Sequence, residues 1–153
     1  MRRFLVLLGV AVSGCGEGAT PPDVAVARTE IDVIIKAYHK HLSAGEVDKA
    51  MEFAAPDFSI VSNWDNPVHG KEASVELLNK FVEIYKEKDI LGKRDARYAD
   101  IRIDINGQVA VAQYSVSFLE PKGVVFNEAY QQVFRREGGK WILWKEARTA
   151  RTK

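Results

Sequence analysis

Hydrophobic positions in the first part of the chain recur at helical spacing. Residues 30–42 carry an apolar side chain every three or four positions, and Gly45 then provides a stop signal. Residues 46–55 repeat this pattern over a shorter span that ends at Pro56, and residues 71–86 form a third such stretch. We therefore predict three helices. The apolar faces of the two longer ones are Ile31, Ile34, Ile35, Tyr38 and Leu42, and Ala73, Leu77, Phe81, Ile84 and Tyr85.

Hydrophobic positions later in the chain alternate instead, which is typical of strands with one buried face. The clearest alternation places Ala99, Ile101, Ile103 and Ile105 on one face and Tyr98, Asp100, Arg102 and Asp104 on the other. Asn106-Gly107 follows as a strong hairpin signal. The predicted strands are residues 58–63, 98–105, 108–119, 124–136 and 141–149. Helices followed by a meander predict an α+β fold, in which three N-terminal helices pack on one face of a curved antiparallel sheet.

The N-terminus has the pattern of an export signal. Arg2 and Arg3 precede a short apolar run at residues 4–12, which is too short to span a membrane. The run ends in Val12-Ser13-Gly14-Cys15, which resembles the lipobox of bacterial lipoproteins. The resemblance implies that residues 1–14 are a signal peptide and that Cys15 carries fatty acids such as palmitate. An ordinary secretory signal with an incidental cysteine is the alternative.

The predicted lipid anchor determines the expected location of the chain. Residues 15–27, rich in Gly, Pro and small side chains, are predicted to be a flexible tether, and residues 28–150 the folded domain. We expect a lipid-anchored protein of the cell envelope. By resemblance to the known sorting rule, Gly16 after the cysteine favours the outer membrane, facing the periplasm, where the host has one.

Composition and charge exclude several other functions. The 153 residues, 46% of them hydrophobic, suit one globular domain. Loss of residues 1–14 removes two of the 22 basic residues and leaves 20 against 21 acidic ones. Such a near-neutral domain lacks the positive field that nucleic-acid binding requires, so we predict no nucleic-acid partner. We also predict no cofactor.

Three local motifs carry a family resemblance. They are Tyr38-His39-Lys40-His41-Leu42-Ser43-Ala44-Gly45-Glu46, Asn66-Pro67-Val68-His69-Gly70-Lys71-Glu72-Ala73 and Arg135-Arg136-Glu137-Gly138-Gly139-Lys140-Trp141. In this order they resemble the nuclear transport factor 2-like (NTF2-like) superfamily. That superfamily includes the ketosteroid isomerases, the SnoaL-like cyclases and the association domain of calcium/calmodulin-dependent protein kinase. The resemblance implies a cone-shaped α+β fold with a pocket between the first helix and the sheet.

The isomerase reaction can be tested against this resemblance. Isomerases need a carboxylate base, together with a tyrosine and a protonated acid that stabilise an oxyanion. Tyr38 matches the tyrosine, but the base position falls on Ser62, and the second acid falls within residues 130–132, where no acid stands. Tyr38 and the turn residue Asp65 are thus the remaining catalytic candidates. We expect Tyr38 to be a core residue with its hydroxyl at the edge of the pocket.

The resemblance also indicates which residues line a pocket. Three strand arginines of the association domain, which hold a carboxylate ligand, correspond here to Tyr114, Gln132 and Arg148. Strand alternation adds Glu128 and Tyr130 to the same face as Gln132. The predicted ligand-binding residues are therefore Tyr38, Tyr114, Glu128, Tyr130, Gln132 and Arg148. Such a pocket suits a small, partly apolar organic molecule that is uncharged or singly charged.

Alternation on the last strand places Glu146 and Trp144 on the face of Arg148. An acid on that face, or Glu128, would nearly match the charge of the guanidinium. As an alternative to an open pocket, Glu128 and Arg148 pair and close the cavity.

The histidines do not predict a metal site. His39 and His41 are two residues apart on a helix and point to nearly opposite sides, and His69 lies in a loop. We predict partly exposed histidines without a metal ligand role.

Three functions follow from these patterns. The one we favour is a non-catalytic binding or scaffold module at the membrane. The second is a small-molecule enzyme, which a carboxylate facing Tyr38 across a closed cavity would favour. The third is a dimerising accessory subunit, which a flat apolar outer sheet face would favour. We also predict a homodimer through the sheet that buries Trp141 or Leu143, both assigned to the face opposite the pocket.

The lipid anchor gives a direct prediction. Replacing Cys15 with Ser should release the chain from membranes without unfolding it, because the tether rather than the fold would carry the lipid. Labelling with a radioactive fatty acid should mark the wild type and leave the Cys15→Ser chain unlabelled. Equal membrane recovery of both forms would contradict the assignment.

Overall fold

The computed structural model describes residues 23–62, 66–93, 95–119, 123 and 125–151. The signal segment, Cys15 and the candidate Asp65 lie outside the described residues. Within these ranges, no helix combines the length and the apolar character that crossing a bilayer requires.

The helices and strands follow the predicted order with altered bounds, except that residues 68–69, predicted to be a loop, form a short additional strand paired with the first one. In chain order they are α1 (Val24–Ser43), α2 (Val47–Met51), β1 (Ala54–Ser62), β2 (Val68–His69), α3 (Lys71–Glu87), β3 (Asp95–Asn106), β4 (Val109–Leu119), β5 (Val125–Glu137) and β6 (Lys140–Arg151). The α+β class is confirmed, with helices packed against a curved sheet.

The sheet is mixed rather than wholly antiparallel. Its strands lie in the order β2-β1-β6-β5-β4-β3, and the meander from β3 to β6 is antiparallel as predicted. β1 pairs parallel to β6, with Ile60 opposite Glu146 and Ser62 opposite Arg148. The α3 crossover starts the meander at the far edge of the sheet, and three hairpins then return β6 to β1 in the same direction. Local alternation carries no information about this pairing.

The first helix begins earlier than its hydrophobic repeat suggests. Asp23 caps α1, because its carboxylate accepts hydrogen bonds from the backbone N–H groups of Ala25 and Val26 at 2.8 and 3.1 Å. Residues 24–27, which were assigned to the tether, therefore belong to the helix, and Ala27 is buried. At the other end Gly45 adopts φ +77°, and a Cβ there would lie 3.1 Å from the Leu91 side chain.

Two other helix predictions need correction. The second helix ends at Met51, and residues 54–56, including Pro56, belong to β1 instead. The third helix buries Ser74, Leu77, Leu78 and Val82, whereas the predicted Ala73 and Ile84 are exposed. The buried face of α3 is thus rotated from the predicted one, because this helix packs against both β1 and α2.

Two irregularities in the sheet reverse the predicted alternation. In β3, Asp100 has φ 57° and the register shifts between Ala99 and Arg102. Tyr98, which simple alternation assigned to the polar face, consequently packs against the core from the same side as Ile103.

The second irregularity lies in β6 at Trp144, between the pairs Val133 with Lys145 and Phe134 with Leu143. It turns Leu143 and Trp141 inward, where both are buried in the core of this chain. The prediction that these two side chains form a dimer face was therefore wrong, as was the placement of Trp144 beside Arg148. A homodimer through another part of the sheet stays a prediction.

The described outer face of the sheet carries exposed apolar side chains, among them Val61, Val109 and Leu119, as well as small and polar ones. A shallow depression there contains Gln113, Ser115, Ala129, Gln131, Ala147 and Thr149. This depression itself is not the flat apolar surface that would favour a dimerising accessory subunit.

Candidate functional site

The six predicted ligand-binding residues lie together between α1 and the inner face of the sheet. All of them are buried: Tyr38, Tyr114, Glu128, Tyr130, Gln132 and Arg148. The rings of Tyr114 and Tyr130 stack on paired positions of β4 and β5, with centroids 5.3 Å apart. This placement follows from strand alternation, which holds without interruption through these parts of both strands. The role of the residues in binding stays a prediction.

Glu146 is the acid at the centre of the cluster, and the sequence interpretation had treated it only as a counter-charge. The Gln132 side-chain N–H donates to its Oε2 at 2.8 Å, and its Oε1 lies 3.9 Å from Nε of Arg148. Burial raises the pKa of this carboxyl, while Arg148, Gln132 and the nearby Tyr38 hydroxyl lower it in part. A carboxylate thus lies beside Tyr38, although neither residue lines the inner cavity beside Arg148, so the arrangement expected of an enzyme is present only in part.

Glu128 is hydrogen-bonded to Tyr130 rather than paired with Arg148. The Tyr130 hydroxyl donates to Oε2 of Glu128, and burial raises the pKa of that tyrosine. Among the described ion pairs, none joins Glu128 to Arg148. The predicted closure of the cavity by a direct Glu128–Arg148 pair was therefore wrong.

Arg148 is a buried cation with unused hydrogen-bonding capacity. Its guanidinium lies 4.6 Å from the centre of the Phe81 ring. Its Nε and Nη2 atoms are buried without a hydrogen-bond partner in the described structure. Burial lowers the pKa of the guanidinium, but Glu146 and the surrounding tyrosines raise it above the ordinary value, so it stays charged.

His39 contradicts the prediction of partly exposed histidines. Its side chain is buried, and its Nε2 lies 2.8 Å from the Tyr114 hydroxyl. Burial, together with the charge of Arg148, lowers the pKa of His39 to about 3, so the ring is neutral at physiological pH. The inward face of α1 is wide enough to bury both Tyr38 and its neighbour, which a simple helical repeat underestimates.

The other two histidines lie near the surface. His41 is partly exposed, with Nδ1 2.6 Å from a Glu46 carboxylate oxygen, and His69 is exposed. Among the described residues, no group of three or more His, Cys, Asp or Glu side chains could hold a metal ion.

A small inner cavity opens beside these polar groups. Its volume is about 30 Å³, enough for roughly one or two water molecules. The polar side of the inner cavity comprises His39, Glu128, Tyr130 and Arg148. Its apolar wall comprises Leu42, Leu78, Phe81, Val82, Tyr85 and Phe118.

This arrangement can bind an oxygen atom and exchange a proton. The unpartnered N–H groups of Arg148 suit a carbonyl, hydroxyl or carboxylate oxygen. Glu146, with its raised pKa, could take up a proton beside the Tyr38 hydroxyl. The expected isomerase base position, Ser62, lies opposite Arg148 on β1 and provides no acid.

Comparison with known proteins agrees with this architecture. The sequence profile of the SnoaL-like domain family matches residues 35–144. No curated protein matches the chain in sequence.

Solved structures share the fold at low sequence identity. An NTF2-like protein of unknown function from Pseudomonas putida is 16% identical over 84% of this chain and 89% of its own, with a TM-score of 0.73. A Catenulispora acidiphila protein in complex with S-DNPA is 20% identical over 82% and 94%, with a TM-score of 0.69. A ketosteroid isomerase-like protein from Erwinia carotovora is 16% identical over 82% and 96%, with a TM-score of 0.61. These likenesses confirm the NTF2-like fold.

The buried His39 gives a prediction about pH. The unfolded chain gains a proton on this residue below about pH 6.5, whereas the folded chain keeps the ring neutral until about pH 3. Folding stability should therefore fall as the pH falls through this window. Relative to the His39→Gln variant, the wild type should lose about 1.4 kcal/mol of unfolding free energy per pH unit between pH 6 and pH 4.

Urea unfolding of both chains at each pH measures this difference. Subtracting one profile from the other removes the pH dependence of stability that other groups, such as Glu146, contribute to both chains. Parallel pH profiles for the two chains would show that His39 is protonated as readily in the folded state as in the unfolded one.

Proposed function

We propose that this member of the SnoaL-like domain family is a membrane-tethered domain that binds a small organic molecule, with the head group of that molecule in the inner cavity. The observation that carries the proposal is the buried guanidinium of Arg148 with two nitrogen atoms that lack hydrogen-bond partners. A buried donor without a partner costs roughly 1–3 kcal/mol, and a charged one costs more. A ligand oxygen bound there would remove this cost.

The neighbouring groups do not satisfy Arg148. Glu146 approaches Nε only at 3.9 Å, which is an ion pair but too long for a hydrogen bond, and its Oε2 is already bonded to Gln132. Glu128 accepts from Tyr130. Only Tyr130 and Glu128 are thus bonded to each other, whereas the Tyr38 hydroxyl and Oε1 of Glu146 are, like Nε and Nη2 of Arg148, buried without a hydrogen-bond partner in the described structure. The guanidinium therefore remains able to bind a ligand oxygen.

The surroundings indicate the chemistry of the ligand. An oxygen-bearing head group would bind Arg148, and an apolar body would lie against the wall formed by Leu78, Phe81 and Phe118. The Catenulispora acidiphila protein of the same fold is in complex with the small-molecule ligand S-DNPA, which supports a ligand-binding use of this architecture.

The membrane tether is the second part of the proposal. The lipobox-like sequence ends at Cys15, and the folded domain begins at Asp23, so a short segment would join the lipid to the domain. Such a link would hold the cavity close to the surface of a membrane of the cell envelope, the outer membrane where the host has one.

Replacing Arg148 with Met tests the binding function. The full-length lipoprotein should co-purify with a small molecule, and Arg148→Met should lower its occupancy by about 30-fold or more, because a charge-assisted hydrogen bond is lost. The variant should fold and should be at least as stable as the wild type, because it lacks the buried charge. Mass spectrometry of extracts and thermal unfolding measure both effects.

Arg136→Met is the matched control, because Arg136 donates to the Gly139 carbonyl at a hairpin and does not line the cavity. It should retain the wild-type occupancy. A small molecule that remains bound to Arg148→Met in wild-type amounts would contradict the proposal.

A second function is favoured by the carboxylate that lies beside Tyr38. Burial raises the pKa values of both Glu146 and Tyr38, so the tyrosine stays protonated and can donate a hydrogen bond to a substrate oxygen. Glu146 would then accept a proton from an adjacent carbon. This is acid–base chemistry with a base on β6, a different position from the isomerase base.

Glu146→Gln tests this second function, since it keeps the shape and removes the base. Wild-type protein should catalyse exchange of carbon-bound hydrogen of the co-purified molecule in deuterium oxide, and the variant should be slower by about 100-fold or more. Nuclear magnetic resonance measures the exchange, with the exposed Glu137→Gln as control. Absence of exchange with the wild type would leave binding alone as the function.

A further inference from the structure

His39 lies between an inner cavity and a hollow at the surface of the molecule. On one side lies the inner cavity of about 30 Å³, beside Arg148 and Glu128. On the other side lies an outer hollow of about 330 Å³, bounded by Lys40, Ala44, Gly92, Ala96 and Tyr98. His39 and Ser43 line both spaces. The imidazole ring therefore forms part of the wall between them.

The two volumes differ in what they can hold. The inner cavity has room for the head group of a ligand but not for a whole organic molecule. Ligand pockets generally measure about 300–1,000 Å³, a range that the outer hollow reaches. A ligand of ordinary size with its head group at Arg148 thus needs space beyond the inner cavity, and the outer hollow lies directly behind His39.

The contacts of His39 hold it in place without an ion pair. Its ring meets Tyr38, Tyr114 and Tyr130 edge to face, at centroid distances of 5.3, 5.7 and 4.6 Å. Tyr98 of the outer hollow lies 5.9 Å away. The hydrogen bond to Tyr114 fixes the orientation of the ring. Because the ring is neutral and is held by dispersion and one hydrogen bond, its replacement does not remove the partner of a buried charge.

We infer that His39 is the specificity-determining partition of this pocket. With the ring in place, the inner cavity takes the oxygen-bearing head group, and a body no wider than a single ring extends from it along the apolar wall. Removal of the ring joins the inner cavity to the outer hollow and admits a two-ring body that reaches Tyr98 and the rim at Lys40. This inference rests on the proposed binding function of Arg148.

Two aromatic carboxylates of different width provide the test. Benzoate and 2-naphthoate share a head group for Arg148 and differ by one fused ring. Affinities are measured by calorimetry on the full-length chain in non-ionic detergent, with protein-free micelles as blank. The variants are His39→Ala, the matched His41→Ala on the other side of α1, and Arg148→Met. His39→Asn, which keeps a hydrogen-bonding group for Tyr114, replaces the alanine variant if that variant does not fold.

The expected result is selective. His39→Ala should raise the affinity for 2-naphthoate at least about tenfold and change that for benzoate less than about threefold, whereas His41→Ala should change neither. A crystal structure of the His39→Ala complex should show the second ring in the space that the imidazole vacates.

The contrary results separate the two proposals. The partition role of His39 is overturned if the affinities for both acids change in parallel. It is also overturned if 2-naphthoate binds His39→Ala no more tightly than it binds the wild type. If benzoate binds the wild type and Arg148→Met equally well, the proposed binding function fails instead. If neither acid binds any of the chains, both are overturned.

Discussion

The structure depends on the burial of one arginine inside the cone. Arg148 lies on the inner face of the last strand, between the sheet and Phe81, with Glu146 at ion-pair distance. Removing a guanidinium from water is costly unless anions and hydrogen-bond acceptors replace the lost solvent. Two buried acids supply the charge, but the hydrogen bonds of the guanidinium remain incomplete. This imbalance is why we assign a ligand to the cavity rather than a purely structural role to the polar cluster.

The sequence predicts the fold where its patterns are regular. Alternation along β4 and β5 correctly places Tyr114 and Gln132 on the inner face, because no bulge interrupts those stretches. It fails at Asp100 and Trp144, where an extra residue reverses the face of everything on one side of it. Because no local sequence pattern indicates these bulges, Tyr98 and Leu143 were assigned to the wrong face of the sheet. The parallel pairing of β1 with β6 cannot be predicted from local sequence either, since it depends on the crossover of α3.

The candidate site was predicted in part for similar reasons. Family resemblance and alternation together indicated Arg148 and its neighbours. His39 was missed because a helical repeat describes a narrow stripe, whereas α1 buries a wider face between aromatic side chains of three strands. Glu146 was noticed as a charge, but its contact with Gln132 depends on the register of β5 with β6, and its proximity to Tyr38 depends on the packing of α1 over the sheet. Such contacts depend on tertiary structure, which the spacing of hydrophobic residues along the chain does not indicate.

The most direct test of the account is a crystal structure of the protein with the small molecule that the proposed function predicts to co-purify with it. The account predicts a ligand oxygen within hydrogen-bond distance, about 2.7–3.2 Å, of Nε or Nη2 of Arg148. It also predicts an apolar ligand body against Phe81 and Phe118. A structure in which the guanidinium is fully hydrogen-bonded by Glu128 and Glu146, or points into solvent, would contradict the central claim.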